Sequence, residues 1–199
     1  MAEPKDRRSV RTRASLRDAL LGLAEEHDLA AITVQQVVDR ANVGRATFYL
    51  HYRNREELID EVFDLLFVEL TTASKSLEKA IRVGEPVREQ LSEVNLYHLL
   101  DERRALYRRL FRSRAGSDFA DRLETFHEQE FIEIWTSQGC EAAPGSPSME
   151  FRACFAASAT RGVINLWLEQ GDDRDENAFG AWSQHIALYL LFDLGANGN

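Results

Sequence analysis

The chain has only two cysteines in 199 residues, Cys140 and Cys154. They form neither a CxxC pair nor a zinc-ligand spacing, which leaves them reduced and structural, with nothing specific to support a redox switch. No apolar run reaches the ~18 residues of a membrane-spanning helix. The basic opening MAEPKDRRSVRTR has no apolar stretch behind it, so it is not read as a signal peptide, and a cytoplasmic chain is expected. HExxH, P-loop, GxSxG and dinucleotide-fingerprint motifs are all missing, so no enzyme and no cofactor is expected. Strand-like alternation, internal repeats and low-complexity tracts are missing too, which points to an all-α chain.

What the chain does have is charge, unevenly divided. The whole carries −9, but residues 1–55 hold ten Lys or Arg against seven Asp or Glu, a net of +3, and the rest a net of −12. The first seventeen residues alone hold six basic and two acidic side chains. A basic end attracts phosphate and an acidic body is repelled by it, a polarity that orients a protein on DNA. A solvated basic arm accounts equally well for Lys5, Arg7 and Arg8 taken singly.

Residues 33–58, TVQQVVDRANVGRATFYLHYRNREEL, are the most informative stretch. Thr33 and Gln36 form a capping box ahead of a short helix whose Val34, Val37 and Val38 share one face. That helix should stop near Ala41, because Asn42 and Gly44 both tolerate left-handed backbone, with Val43 between them pinning the turn to the core. A second helix is expected from about Arg45 to His51, with Phe48 inward and Arg45, Thr47, Tyr49 and His51 outward. These outward types suit DNA, where Arg forks onto a guanine edge and Tyr or His bonds phosphate or base. Asn54 should cap the next helix with Glu57 reaching back. Arg55 in its first turn opposes the helix dipole, which hints at an outside anion such as phosphate. The whole is a helix-turn-helix.

The run T-V-x-x-V-x-x-x-A-x-V-x-x-x-T-F-Y-x-H-Y-x-N-R-E-E-L, here Thr33 to Leu58, resembles the DNA-binding domain of the TetR family of transcriptional regulators. The resemblance implies that Gln35, Arg45, Ala46, Thr47, Tyr49 and His51 fall on positions that read bases or backbone, and that Thr33, Tyr49 and Arg55 fall on positions that hold phosphate. Two residues depart from the family's pattern. Gly44 stands where many members cap the recognition helix with Ser or Thr, and glycine is only slightly worse there. Asp28 stands where many members close the first helix with Gly, and Asp tolerates the left-handed backbone expected there.

Around this unit, periodicity predicts a first helix from about Arg7 to Glu26, with Leu16, Leu20, Leu23 and Ala24 inward. A three-helix DNA-binding domain over residues 1–53 is expected, and a helical effector-binding and dimerisation domain over 54–199. The second domain should begin with a long helix from Arg55 to about Ala80, shared by both parts through Leu58, Ile59, Phe63, Leu66, Phe67 and Leu70. Gly84 and Pro86 break the chain. Further helices are expected at about 87–99, 102–113, 118–138, 148–170 and 175–194, with turns or stops at Gly116-Ser117, Gly139, the loop 140–148, Gly171 and Gly195. The total of about nine helices is what the resemblance also implies.

A helix-turn-helix reader needs a second copy to engage a palindrome, so a homodimer is expected. Small residues including Ala159 and Gly162, with Phe151, Phe155, Val163 and Trp167, mark one pairing helix, and Trp182, Ile186 and Tyr189 mark the last. The resemblance implies that these two helices pair in the dimer. It also implies a small-molecule pocket in the middle helices, with Phe67, Tyr97, His98, Tyr107, Phe111, Phe126, His127, Phe131 and Trp135 as candidates for a largely apolar effector. Aromatic stripes at helical spacing equally build plain core. Glu124, His127 and Glu128, or His98 and Glu102, share helix faces, but chance produces such spacings often and no metal site is expected. The expected function is a ligand-responsive repressor that binds a palindromic operator as a homodimer. The competing expectation is a protein of the same kind that acts through a protein partner, its DNA reader weak or idle.

Overall fold

Eight α-helices and one short 3-10 helix account for nearly all of the described residues, and no strand occurs among them. The computed structural model describes residues 4–83, 96–112, 116–137, 139 and 147–170. The helices are α1 (Pro4–Glu26), α2 (Val34–Arg40), α3 (Arg45–His51), α4 (Arg55–Val83), α5 (Leu96–Glu102), α6 (Arg104–Arg112), α7 (Ser117–Ser137) and α8 (Met149–Glu169). The all-α expectation therefore holds. The expected helix at 175–194, with Trp182, Ile186, Tyr189 and the stops Gly171 and Gly195, lies outside the described residues, as do Gly84, Pro86 and Cys140.

Apolar spacing decides which faces turn inward. Leu16, Leu20, Leu23 and Ala24 of α1 are buried, joined by Ala19. Along α4 the buried stripe is Leu58, Val62, Leu66, Leu70 and Ala73, three or four residues apart on one helical face. Ile59, Phe63 and Phe67 flank that stripe and are only partly covered. A short turn separates α3 from α4, between His51 and Arg55. Packing does not stop at that turn. One contiguous core runs from Leu16 through Phe48, Leu58 and Tyr107 to Trp167. A smaller cluster joins Ile134, Trp135, Ala153 and Ala156, where α7 lies along α8 in the most extensive helix pair among the described residues.

Helix α6 packs on α1 on one side and on α7 and α8 on the other. Arg109 near its end donates to the Glu26 carbonyl at the C-terminus of α1, at 3.3 Å. At its start, Arg104 bonds Asp101 at 2.9 Å and the Trp167 carbonyl at 3.3 Å. The Trp167 indole N–H donates to the same Asp101 carboxylate at 2.9 Å. A buried indole needs such a partner, and the shared carboxylate locks α5, α6 and α8 together. Ahead of α7, Gly116 admits no side chain, since a Cβ would sit 2.0 Å from the Leu110 carbonyl oxygen. No helix among the described residues is long and apolar enough to cross a membrane.

Candidate nucleic-acid interface

The helix-turn-helix is fixed by local bonds. Gln36 N–H donates to Thr33 Oγ1 at 3.3 Å, and Thr33 N–H donates back to Gln36 Oε1 at 2.8 Å, completing the capping box of α2. Asn42 takes the left-handed conformation at φ 53°, and Val43 closes the turn with a 3.0 Å bond from its N–H to the Val38 carbonyl. Gly44 differs from expectation. Its φ of −73° and ψ of 147° are ordinary extended geometry, so it serves as a helix cap without a side chain rather than as a left-handed turn residue. Asp28 differs similarly: it is extended and caps the short 3-10 helix by accepting from Ala30 N–H at 3.0 Å. A residue that opens a new helix needs no left-handed backbone.

Phe48 is fully buried and anchors α3, packing against Tyr49 at 5.3 Å and Tyr52 at 5.6 Å between ring centres. Arg45, Ala46 and Tyr49 are exposed, and Thr47 and His51 are half-buried at the edges of the outward face. Arg45 lies over the Tyr49 ring at 5.8 Å, with a guanidinium nitrogen 3.5 Å from the hydroxyl, so the two present one composite edge. Gln35 is exposed on α2, its amide held by Asp39 at 2.8 Å. Leu50, not among the sequence candidates, is 82% exposed on the same face of α3. Its place four residues after Ala46 and two after the inward Phe48 was the available signal.

Arg55 has partners within the chain itself. Its guanidinium donates to the Ala30 carbonyl at 3.0 Å and to the Ile32 carbonyl at 2.7 Å, and it pairs with Glu56 at 3.0 Å. The cation that seemed misplaced on a helix N-terminus thus neutralises the carbonyl end of the 3-10 helix. Asn54 caps α4 as expected, accepting from Glu57 N–H at 2.8 Å, but Glu57 reaches back to the N–H of Arg53 at 2.6 Å.

Beneath the reader, Glu61 of α4 receives Arg13 and, at 2.7 Å, Arg17, both from α1. Burial alone would raise the Glu61 pKa, but the hydrogen bonds from the two arginines outweigh it and hold the carboxyl below its ordinary value. The Tyr52 hydroxyl sits beside this pair, buried and without a hydrogen bond of normal geometry among the described residues. Burial, then the Glu61 charge, push its pKa up to about 12. Sequence spacing gives no sign of this clamp, because its members are 44 and 48 residues apart.

The pocket candidates separate. Tyr97 and Tyr107 lie in the main core, Tyr97 against Trp167 at 5.3 Å. Phe67 packs on Phe126 at 5.9 Å, and Phe111 on Phe119 at 6.3 Å. Phe131 and Trp135 stack at 5.9 Å in the smaller cluster. His98 is exposed and lies 3.5 Å from Glu102. His127 is buried next to Phe126, and burial lowers its pKa to about 4, with nearby Glu124 opposing. Glu124 itself accepts from Ser158 and Arg161. Among the described residues no group of three His, Cys, Asp or Glu could hold a metal ion.

On α8, Phe151 and Phe155 are 63% and 55% exposed, and Gly162 is open beside half-buried Ala159 and Val163. Trp167 does not join this face. It is 2% exposed and turned into the core by Asp101 and Tyr97, so it is withdrawn from the pairing candidates. Cys154 is exposed and free, its thiol pKa raised by a bond to Glu128.

Residues 16–62 match the sequence model of the family described as bacterial regulatory proteins, tetR family. The uncharacterized HTH-type transcriptional regulator YxbF of Bacillus subtilis strain 168 is 37% identical over 105 residues, 48% of this chain but only 28% of that protein. The chain thus spans well under half the length of this curated relative. Among solved structures, a TetR transcriptional regulator from Streptococcus agalactiae 2603V superposes with a TM-score of 0.65 at 24% identity, covering 92% of this chain and 97% of that one. NalD of Pseudomonas aeruginosa, described as the secondary repressor of the MexAB-OprM multidrug efflux pump, superposes at 0.64 with 16% identity, covering 90% and 96%. At these identities the two structures speak for the fold.

Proposed function

We propose that this chain, a TetR-family transcriptional regulator, is a cytoplasmic, ligand-responsive repressor that binds a palindromic operator as a homodimer. The observation that carries this reading is the outward face of α3, where Arg45, Thr47, Tyr49 and His51 surround a helix anchored by buried Phe48. In the proposed complex two copies of α3 enter successive major grooves, with Gln35 and Thr33 of α2 towards the backbone. The reader comprises residues 1–53 and the body 54–199. Repression is supported by the fold this chain shares with NalD, itself a repressor.

Pairing is assigned to one stripe of α8, exposed Phe151, Phe155 and Gly162 with half-buried Ala159 and Val163, together with Trp182, Ile186 and Tyr189 further along the chain. Small residues in the stripe favour close approach of a second helix. A small, largely apolar effector is assigned to the body, lined from among Phe67, Tyr97, Tyr107, Phe111, Phe126, His127, Phe131 and Trp135. Two elements carry its effect to the reader: α4, which both parts share, and α6, which touches the end of α1 through Arg109. The effector acts only so far as it binds the DNA-competent and released states with different affinity.

DNase footprinting of the purified full chain on the DNA flanking its own gene tests the reading. The expected result is a protected palindrome with half-sites about one helical turn, ~10 base pairs, apart. Absence of protection, with a monomeric mass by light scattering at micromolar concentration, would overturn it.

A further inference from the structure

The outward face of α3 is polar at its flanks and apolar along its centre. At 100° per residue, Ala46 and Leu50 both fall within about 20° of the direction opposite Phe48. Being four residues apart, they form one stripe. Arg45 and Tyr49 lie on one side of that stripe, and Thr47 and His51 on the other. Leu50 is 82% exposed, the most open of the large apolar side chains among the described residues. A lone exposed leucine is ordinary. A leucine on the axis of the face that meets DNA, ringed by Arg, Tyr, Thr and His, occupies the position of closest approach.

The floor of the major groove offers one apolar feature, the 5-methyl group of thymine. A leucine there has no hydrogen bond to give. Set against a guanine, cytosine or adenine edge, it would leave donors or acceptors without water or partner. Against a thymine methyl it removes apolar surface on both sides at no such cost.

We propose that Leu50, with Ala46 beside it, is a specificity-determining residue that selects a thymine at one fixed position in each operator half-site by contact with its 5-methyl group. This rests on the DNA-reading proposal above and deepens it. The flanking Arg45, Thr47, Tyr49 and His51 then set register and hydrogen bonds, while the leucine stripe tells thymine from the other bases without a polar contact.

The test uses the full-length protein and the operator defined by footprinting. Each thymine of the half-site is replaced in turn by deoxyuridine, symmetrically in both halves, which removes the methyl and keeps base pairing. Burying one methyl contributes roughly fourfold in affinity, so the sensitive position should weaken wild-type binding by roughly fifteenfold across two half-sites. Leu50→Ala should bind thymine and deoxyuridine operators equally, and Leu50→Met should keep the preference. The side chain is exposed, so both variants should melt with the wild type. Two results would overturn the proposal while leaving DNA reading intact: no thymine position sensitive in the wild type, or the same sensitivity retained in Leu50→Ala. No selective binding to any duplex would instead overturn the reading on which it rests.

Discussion

The reader and the body are held together over different distances along the chain. In the reader the defining contacts are short in sequence: Thr33 with Gln36 and Val43 with Val38. In the body the ties that matter join residues far apart. Trp167 meets Asp101 across 66 residues, and Arg161 meets Glu124 across 37. Short contacts write themselves into sequence as caps and turn residues. Long ones leave only composition behind. The comparison also separates purpose: the reader turns polar side chains outward, whereas the body turns Tyr97, Tyr107 and Trp167 inward.

The largest expected effect lies in the body. Trp167→Ala should cost about 3–5 kcal/mol of unfolding free energy, because a buried indole is lost and Asp101 loses a donor. Urea denaturation measures it. A loss below ~1 kcal/mol would return Trp167 to an exposed role, since surface substitutions cost little.

Next comes pH. The pKa of buried His127 is lowered to about 4 from 6.5, so the unfolded chain binds a proton there before the folded one does. Its contribution is complete above pH 6.5 and is lost as pH falls from 6.5 towards 4, a total of about 3 kcal/mol. His127→Leu should flatten the stability profile between pH 6 and 5, where ordinary carboxylates titrate little. An unchanged slope would contradict the assignment.

Where the body meets the reader, Arg55→Ala should cost about 1–3 kcal/mol through its lost bonds to the Ala30 and Ile32 carbonyls. The salt dependence of DNA binding should stay as it is. A slope reduced by about one per protomer would show that Arg55 holds phosphate after all.

The smallest effect is a gain. Gly44 already has cap geometry, and a Cβ there would meet only Thr47 Oγ1 at 3.8 Å. Gly44→Ser should stabilise by a few tenths of a kcal/mol. A destabilised melt would mean that the turn needs the glycine for another reason.

The same contrast explains what was legible in the sequence. The capping box, the turn at Asn42, the inward Phe48 and the spans of α1 to α3 could be read because each depends on neighbours within one or two turns. The roles of Arg55 and Glu61 could not, because their partners lie 23 to 48 residues away. Trp167 was misplaced for a related reason. Large apolar residues on a helix rich in small ones suit a pairing face and a core equally, and only Asp101 and Tyr97 settle which way the indole turns. Leu50 offers no hydrogen bond, so its side-chain chemistry does not mark it in the sequence as a DNA-facing residue.

The most direct test of the central claim, that α3 is the DNA-reading element, is fluorescence anisotropy of a labelled operator duplex titrated with wild type and Arg45→Ala. Arg45 is exposed, so the variant should melt with the wild type. Its affinity should fall tenfold or more, since a bidentate arginine–guanine contact is worth about 1–3 kcal/mol in each half-site. Equal affinity for both proteins would contradict the account.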